Sequence, residues 1–225
     1  MTLSALPAVT AIILAGGRAT RMGGCDKGLQ TLGGVTLIEH VLRQLRQQTR
    51  PPAAILISAN RHLSAYRALG LPVWPDASPD YPGPLAGFLS GLAHCETPLL
   101  LTVPCDVPRF PAALCERLAT AIERSGVDIA VATTAGPATD QGTAKRPQPT
   151  FCLMRRQLRT SLTQFLARGE RKAGAWIAQH AAVTVAFEPE PGDAWRAFTN
   201  VNTRAELDEL ESAHRSTEAA PVPRR

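Results

Sequence analysis

Aromatic residues make up only 5% of the 225-residue chain, and no RRM, KH or zinc-finger pattern occurs in it. Without stacking platforms or a basic stripe, no nucleic-acid partner is expected. The formal charge of +5 is spread along the chain and suits a smaller anionic partner. No apolar run approaches the length of a membrane span, and the N-terminus lacks the n-region and h-region of a signal peptide. No membrane partner is therefore expected, and the expected location is the cytoplasm. The five cysteines, at 25, 95, 105, 115 and 152, form no C-x-x-C pair. Their odd number and scatter fit reduced thiols rather than a disulfide framework. Cys105, beside an aspartate, is expected to be a small buried hydrophobe rather than a reactive group. The histidines at 40, 62, 94, 180 and 214 show no metal-ligand spacing.

Two standard phosphate loops are also missing. Gly23 is followed by Gly24, with no Lys-Ser or Lys-Thr, so there is no Walker A loop, and G-x-G-x-x-G does not occur. What is there instead is an apolar run from Val9 to Ala15 that empties into a loop with glycines at 16, 17, 23, 24 and 28. Arg18, Arg21 and Lys27 stand between them. Glycine removes the Cβ and permits positive φ, so successive N–H groups can face one concavity. The cations neutralise phosphate oxygens, arginine by its planar fork and lysine as a point charge. The pattern predicts a buried strand followed by a phosphate-binding loop.

The chain length permits one sizeable core, and the expectation is a single domain over 1–212 with a disordered tail over 213–225. Gly33-Gly34 marks a turn. Leu37, Val41 and Leu45 fall at i, i+4 and i+8, which predicts a helix over 36–48. Strands are expected at 53–59, 72–74, 98–103, 127–133, 150–154 and 183–187. Helices are expected from about 62 to 69, over 84–95 with Pro84 as its first residue, over 111–125, over 156–168, to about 180, and over 203–212. Thr203 with Glu206 forms a capping box. Gly87 and Gly91 on one helix face allow close backbone approach. Residues 134–149 read as a mobile loop and 189–192 as a loop. Residues 77–84, rich in proline, cannot be regular structure.

Strands alternating with helices imply an α/β fold: a mostly parallel sheet with helices on both faces. In such a sheet ligands bind outside the carboxyl ends of the strands. The glycine loop, Ser58, Asn60, Asp76 and Asp106 all fall at such ends. Asp106 follows an apolar strand and a Pro-Cys turn. It suits Mg²⁺ held by one carboxylate together with phosphates and water, and the plainer alternative is a turn-forming aspartate before Val107-Pro108. Asp76 reads either as an acceptor for ribose or base, or as a turn residue. Ser58 and Asn60 read either a base edge or cap the short helix that follows.

Five segments carry a family resemblance. Leu14-Ala15-Gly16-Gly17 with Arg21-Met22-Gly23 and Asp26-Lys27 resembles the signature of sugar-nucleotide-type nucleotidyltransferases. Within that group the chain resembles the molybdenum cofactor guanylyltransferases. The other four segments are residues 76–87, Pro104-Cys105-Asp106-Val107-Pro108, Gly169-Glu170-Arg171-Lys172 and Asn200-Val201-Asn202-Thr203. All five occur in family order between about Val9 and Leu210.

The resemblance implies a three-layer, Rossmann-like nucleotidyltransferase domain. Leu14, Ala15, Gly16, Gly17, Lys27, Ser58, Asp76 and Asp106 would bind GTP, with Mg²⁺ on Asp106. Asp106, Lys27 and Arg21 would serve catalysis, and Asn200, Asn202 and Arg171 would bind molybdopterin. The family usually has asparagine where this chain has Ser58, which leaves that position open, with a bridging water or Asn60 as the compensating group. The implied partners are GTP and molybdenum-molybdopterin, with proteins that deliver molybdopterin and mature molybdoenzymes. Cytidylyl or sugar-phosphate transfer by the same chemistry is the nearer rival, and a non-catalytic cofactor carrier is the other.

Overall fold

The computed structural model describes residues 6–17, 26–76, 83–139, 142–188, 197–201 and 203–218, with backbone alone at 136–139, 142–144, 204 and 213–218. The first strand, β1 (Val9–Leu14), is apolar almost throughout because both of its faces are buried. Ala11 and Ile13 enter one core and Ile12 the other. Its edges pair in parallel with β4 (Ala54–Ser58) and β6 (Leu99–Pro104). Its one hydroxyl, Thr10, accepts from Thr97 Oγ1 at 2.9 Å.

Around this centre the strand order is β5-β4-β1-β6-β8-β7-β9, with β5 at Val73–Trp74, β7 at Ile129–Thr139, β8 at Gly142–Arg155 and β9 at Ala182–Phe187. Only β8 runs against the others, so the sheet is mostly parallel. Helices α1 (Leu37–Arg46) and α4 (Leu114–Ser125) cover one face. Helices α3 (Pro84–His94), α5 (Arg159–Ala167) and α6 (Ala173–Ile177) cover the other. This is the expected three-layer α/β architecture. Leu37, Val41 and Leu45 are all fully buried, as their spacing predicts.

Two features lie beyond the sequence reading. Residues 134–139 and 142–149 are not a loop: β7 and β8 continue through them as paired antiparallel strands, with register shifts at Val131/Ala132 and Ala135/Ala138. Pro147 and Pro149 lie beyond the last β6–β8 pair, Thr102 with Cys152, where one edge of β8 has no β6 partner, and sheets tolerate proline at such edges. Also, the last helix, α7 (Arg204–Glu218), runs past Ser212 through part of the segment expected to be disordered. The capping box at its start is present: Glu206 N donates to Thr203 Oγ1 at 3.2 Å, and Thr203 N donates to Glu206 Oε2 at 2.9 Å. The end of the tail, from residue 219, lies outside the described residues, as do 189–192 and 77–82.

The Gly33-Gly34 turn is the centre of a small ribbon of β2 (Thr31–Leu32) and β3 (Val35–Thr36). Both glycines have positive φ, 58° and 77°, as the primed two-residue hairpin turn requires. Leu32 and Leu37 form a small separate core with Val201 and Leu207, which docks the C-terminal segment and α7 beside the start of α1. Among the described residues no helix is long and apolar enough to cross a membrane.

Gly91 sets the distance between α3 and the sheet. A Cβ there would lie 2.8 Å from Leu100 Cδ2 and 2.9 Å from Ile12 Cγ2. Gly91→Val should therefore destabilise by roughly 1–3 kcal/mol through overpacking. A urea melt checks this, and an unchanged midpoint would contradict the close approach.

Candidate active site

The strand order reverses between β1 and β6. From β1 the chain moves through β4 to β5 on one side, then returns across α3 to lay β6 on the other. Such a switch point opens a crevice outside the carboxyl ends of the strands. Here the crevice is held open by two ladder bonds just past those ends. Ala15 N donates to Ser58 O at 2.7 Å, and Cys105 N donates to Leu14 O at 3.1 Å. Gly16 and Gly17 thus leave the sheet between the end of β4 and the end of β6.

Two groups of polar side chains meet at this edge. In the first, Lys27 Nζ donates to Asp106 Oδ2 at 2.9 Å, with the side chains 24% and 15% exposed. Lys27 opens a short 3₁₀ turn, Lys27–Leu29, capped by Asp26, whose Oδ1 accepts from Gly28 N at 3.2 Å. Asp106 lies two residues past the end of β6, where the expected strand and Pro-Cys turn place it.

In the second group, Asp76 receives Ser58 Oγ at 3.1 Å and Asn60 Nδ2 at 2.7 Å, while its own N donates to Asn60 Oδ1 at 2.8 Å. Asn60 Nδ2 also reaches Gly16 O at 3.4 Å. Neither Ser58 nor Asn60 caps the short helix α2 (Leu63–Arg67); its N-cap is His62, with no side-chain capping bond. Ser58 is buried, so it acts on Asp76 from behind, whereas Asn60 is exposed. Burial raises the Asp76 carboxyl above the ordinary carboxylate value, and the hydrogen bonds from Asn60 and Ser58 pull it partly back.

Cys105 is buried, and desolvation, with Asp106 and Asp26 nearby, holds its thiol well above the usual value. It stays protonated and unreactive, as expected. All four described cysteines are unbridged and buried.

The C-terminal segment reaches the same edge. Val201 N donates to Asp106 O at 2.8 Å, and Phe198 N donates to Arg109 O at 3.1 Å. With Val201 packed inward, the exposed Asn200 stands beside the Asp106 loop. Arg171 lies farther along, its Nη1 donating to Leu166 O at 2.9 Å and Glu170 O at 2.7 Å at the end of α5. Its carbonyl is 3.9 Å from where a Cβ on Gly83 would stand, so it sits by the start of α3. Arg18, Arg21, Met22, Gly23, Gly24, Cys25 and Asn202 lie outside the described residues. Arg61, whose Nη2 donates to Gly17 O at 3.0 Å, and Tyr66, bonded to Asp26, were not singled out by the sequence. Their partners lie 44 and 40 residues away, a separation no local pattern signals.

No group of three or more His, Cys, Asp or Glu able to hold a metal occurs among the described residues. Both Asp76 oxygens are already engaged, whereas Asp106 faces the crevice with one oxygen on Lys27. A carboxylate such as Asp106 fits Mg²⁺, which takes one or two carboxylates and completes its shell with phosphate and water. The donor set suits neither zinc nor a soft metal.

The family model for the MobA-like NTP transferase domain matches residues 11–183. A molybdenum cofactor guanylyltransferase of Acidovorax ebreus is 53% identical over 206 residues, covering 90% of this chain and 95% of that protein. Among solved structures, molybdopterin-guanine dinucleotide biosynthesis protein A of Archaeoglobus fulgidus superposes with a TM-score of 0.68 at 20% identity, covering 92% of this chain and 99% of that one. A CMP:2-keto-3-deoxy-manno-octonic acid synthetase in complex with CTP reaches 0.74 at 13% identity, covering 93% and 99%. The fold is the Rossmann-like one of nucleotidyltransferases.

The raised Asp76 pKa has a consequence for stability. Between the unfolded and the folded value the folded protein binds more protons, so this group's contribution falls as pH rises through the folded value. Asp76→Asn removes that dependence. In urea melts across the acid range, wild type should lose stability relative to Asp76→Asn as pH rises toward neutral. A difference that stays constant with pH would contradict the burial of a charged Asp76.

Proposed function

The chain belongs to the molybdenum cofactor guanylyltransferases, within the MobA-like nucleotidyltransferases, and from that premise we propose that it transfers GMP from GTP to the terminal phosphate of molybdenum-molybdopterin. The products are the guanine dinucleotide form of the cofactor and pyrophosphate. The observation that carries this reading is the meeting of Lys27 and Asp106 at the switch point of the sheet, beside the glycine loop and the Ser58–Asn60–Asp76 cluster. A phosphate oxygen of the pterin attacks the α-phosphorus in line. The new P–O bond forms as the bond to the β-phosphate bridging oxygen breaks, and the electron pair leaves with pyrophosphate. The attacker is already an anion, so no protein nucleophile or base is needed, which agrees with an unreactive Cys105.

Catalysis here is positioning and charge neutralisation. Mg²⁺ on Asp106 would supply Lewis-acid neutralisation around the α-phosphate. Lys27 exchanges its Asp106 partner for phosphate oxygens and takes up charge developing on pyrophosphate, a task Arg21 shares. Asp76, oriented by Ser58 and Asn60, accepts from the nucleoside. Leu14, Ala15, Gly16 and Gly17 bring backbone close to it. Ser58, where the family usually has asparagine, acts through Asp76, and Asn60 offers the exposed amide. The pterin meets the protein at Asn200, in the segment bonded to the Asp106 loop, and at Asn202, with Arg171 adding charge. Such a reaction suits a cytoplasmic protein that receives molybdopterin from a delivering protein and passes the product to molybdoenzyme maturation.

Asp106→Ala should cost on the order of a hundredfold or more in turnover, as loss of one preorganised charge stabiliser does. Circular dichroism provides the folding control. Mg²⁺-dependent pyrophosphate release checks it, and an active variant with normal Mg²⁺ dependence would leave Asp106 as a turn residue.

A further inference from the structure

Residues 60–66 hold the glycine-rich loop at both ends. At its start, Asn60 Nδ2 reaches Gly16 O and Arg61 Nη2 donates to Gly17 O. At its far end, the Tyr66 hydroxyl donates to Asp26 Oδ1 at 2.5 Å. His62, left-handed at φ 48°, makes the bend between the two.

The far contact is enclosed. Tyr66 is 0% exposed and Asp26 7%. The oxygen that accepts from Tyr66 also accepts from Gly28 N, so a single carboxylate oxygen fixes the turn that begins with Lys27. A Cβ on Gly28 would lie 2.6 Å from the Tyr66 oxygen, so glycine is what lets the hydroxyl sit against the turn. Burial, then Cys105, then the bond to Asp26 push the hydroxyl pKa well up, so it remains a donor through the neutral range. The tyrosine ring fills the main core, which any large apolar residue could do. The hydroxyl does something else: it bonds the residue next to Lys27.

We propose that Tyr66 is a positioning residue for nucleotidyl transfer, acting through Asp26 to set the turn that aims the Lys27 ammonium across the crevice. The inference rests on the reading that this crevice takes GTP. It makes α2 the tie between the nucleoside side, at Asn60 and Asp76, and the phosphate side, at Lys27.

Tyr66→Phe keeps the ring and removes the bond. It should lower kcat on the order of tenfold while KM for GTP moves far less, since the charge that Lys27 meets grows in the transition state. GTP affinity measured by calorimetry closes a cycle with Lys27→Ala. Tyr66→Phe should weaken GTP binding a few-fold in the wild-type background and leave it unchanged when Lys27 is absent. Should Tyr66→Phe fail to fold, Asp26→Ser serves in the same cycle, because serine still caps Gly28 N but no longer reaches Tyr66. Unchanged kcat, or equal losses with and without Lys27, would overturn the proposal. Failure of the wild-type protein to bind GTP would instead overturn the reading on which it rests.

Discussion

Lys27 and Asp106 are 79 residues apart, and what brings them within 2.9 Å is the parallel pairing of β1 with β6. That register sets Leu14 against Pro104, and on the other edge Leu14 against Ser58. One residue beyond, the backbone still bonds on both sides before it leaves the sheet. The glycine loop, the β4 end and the β6 end therefore emerge at one level. A slip of one residue in either pairing would put the loop, the β4 end and the β6 end out of level, so the register that pairs the sheet also fixes the site. Helix α3 can lie over this edge because Gly87 and Gly91 admit the side chains of Leu14, Ile12 and Leu100.

The electrostatics follow from the same placement. The partly buried Lys27 ammonium and Asp106 carboxylate satisfy each other's charge. Asp76 has no such counter-charge among its described partners; neutral donors hold it, and burial raises its pKa. One aspartate is thus suited to charge exchange and the other to hydrogen bonding. The C-terminal segment joins this edge through Val201 N on Asp106 O, so Asn200 and Asp106 are held on adjoining backbone.

Much of this was legible in the sequence, for physical reasons. Strands buried on both faces are near-continuous apolar runs, so β1, β4 and β6 are readable, and chemistry-bearing residues at their ends share an edge by topology. The β7–β8 pairing was not readable, because Gly136, Pro137, Pro147 and Pro149 signal a break. The signal fails where one edge of a strand has no partner. The ties from Arg61 and Tyr66 were invisible because they join segments whose proximity exists only after β4 and β1 have paired. Ser58 read as a departure from the family pattern, and the structure gives it a buried place behind Asp76 with Asn60 exposed beside it. Helix α7 outran its expected end because a polar sequence can still be helical when it is docked at one end by Val201 and Leu207.

In the proposed reaction this crevice joins a guanylyl group to a pterin phosphate. The most direct test is to incubate the protein with Mg²⁺, molybdopterin and each nucleoside triphosphate in turn, and to identify the dinucleotide by mass. The expected result is the guanine dinucleotide with stoichiometric pyrophosphate from GTP, and little product from CTP, ATP or UTP. Equal or greater product from CTP would contradict it in favour of cytidylyl transfer, and GTP binding without pyrophosphate release would leave only a carrier.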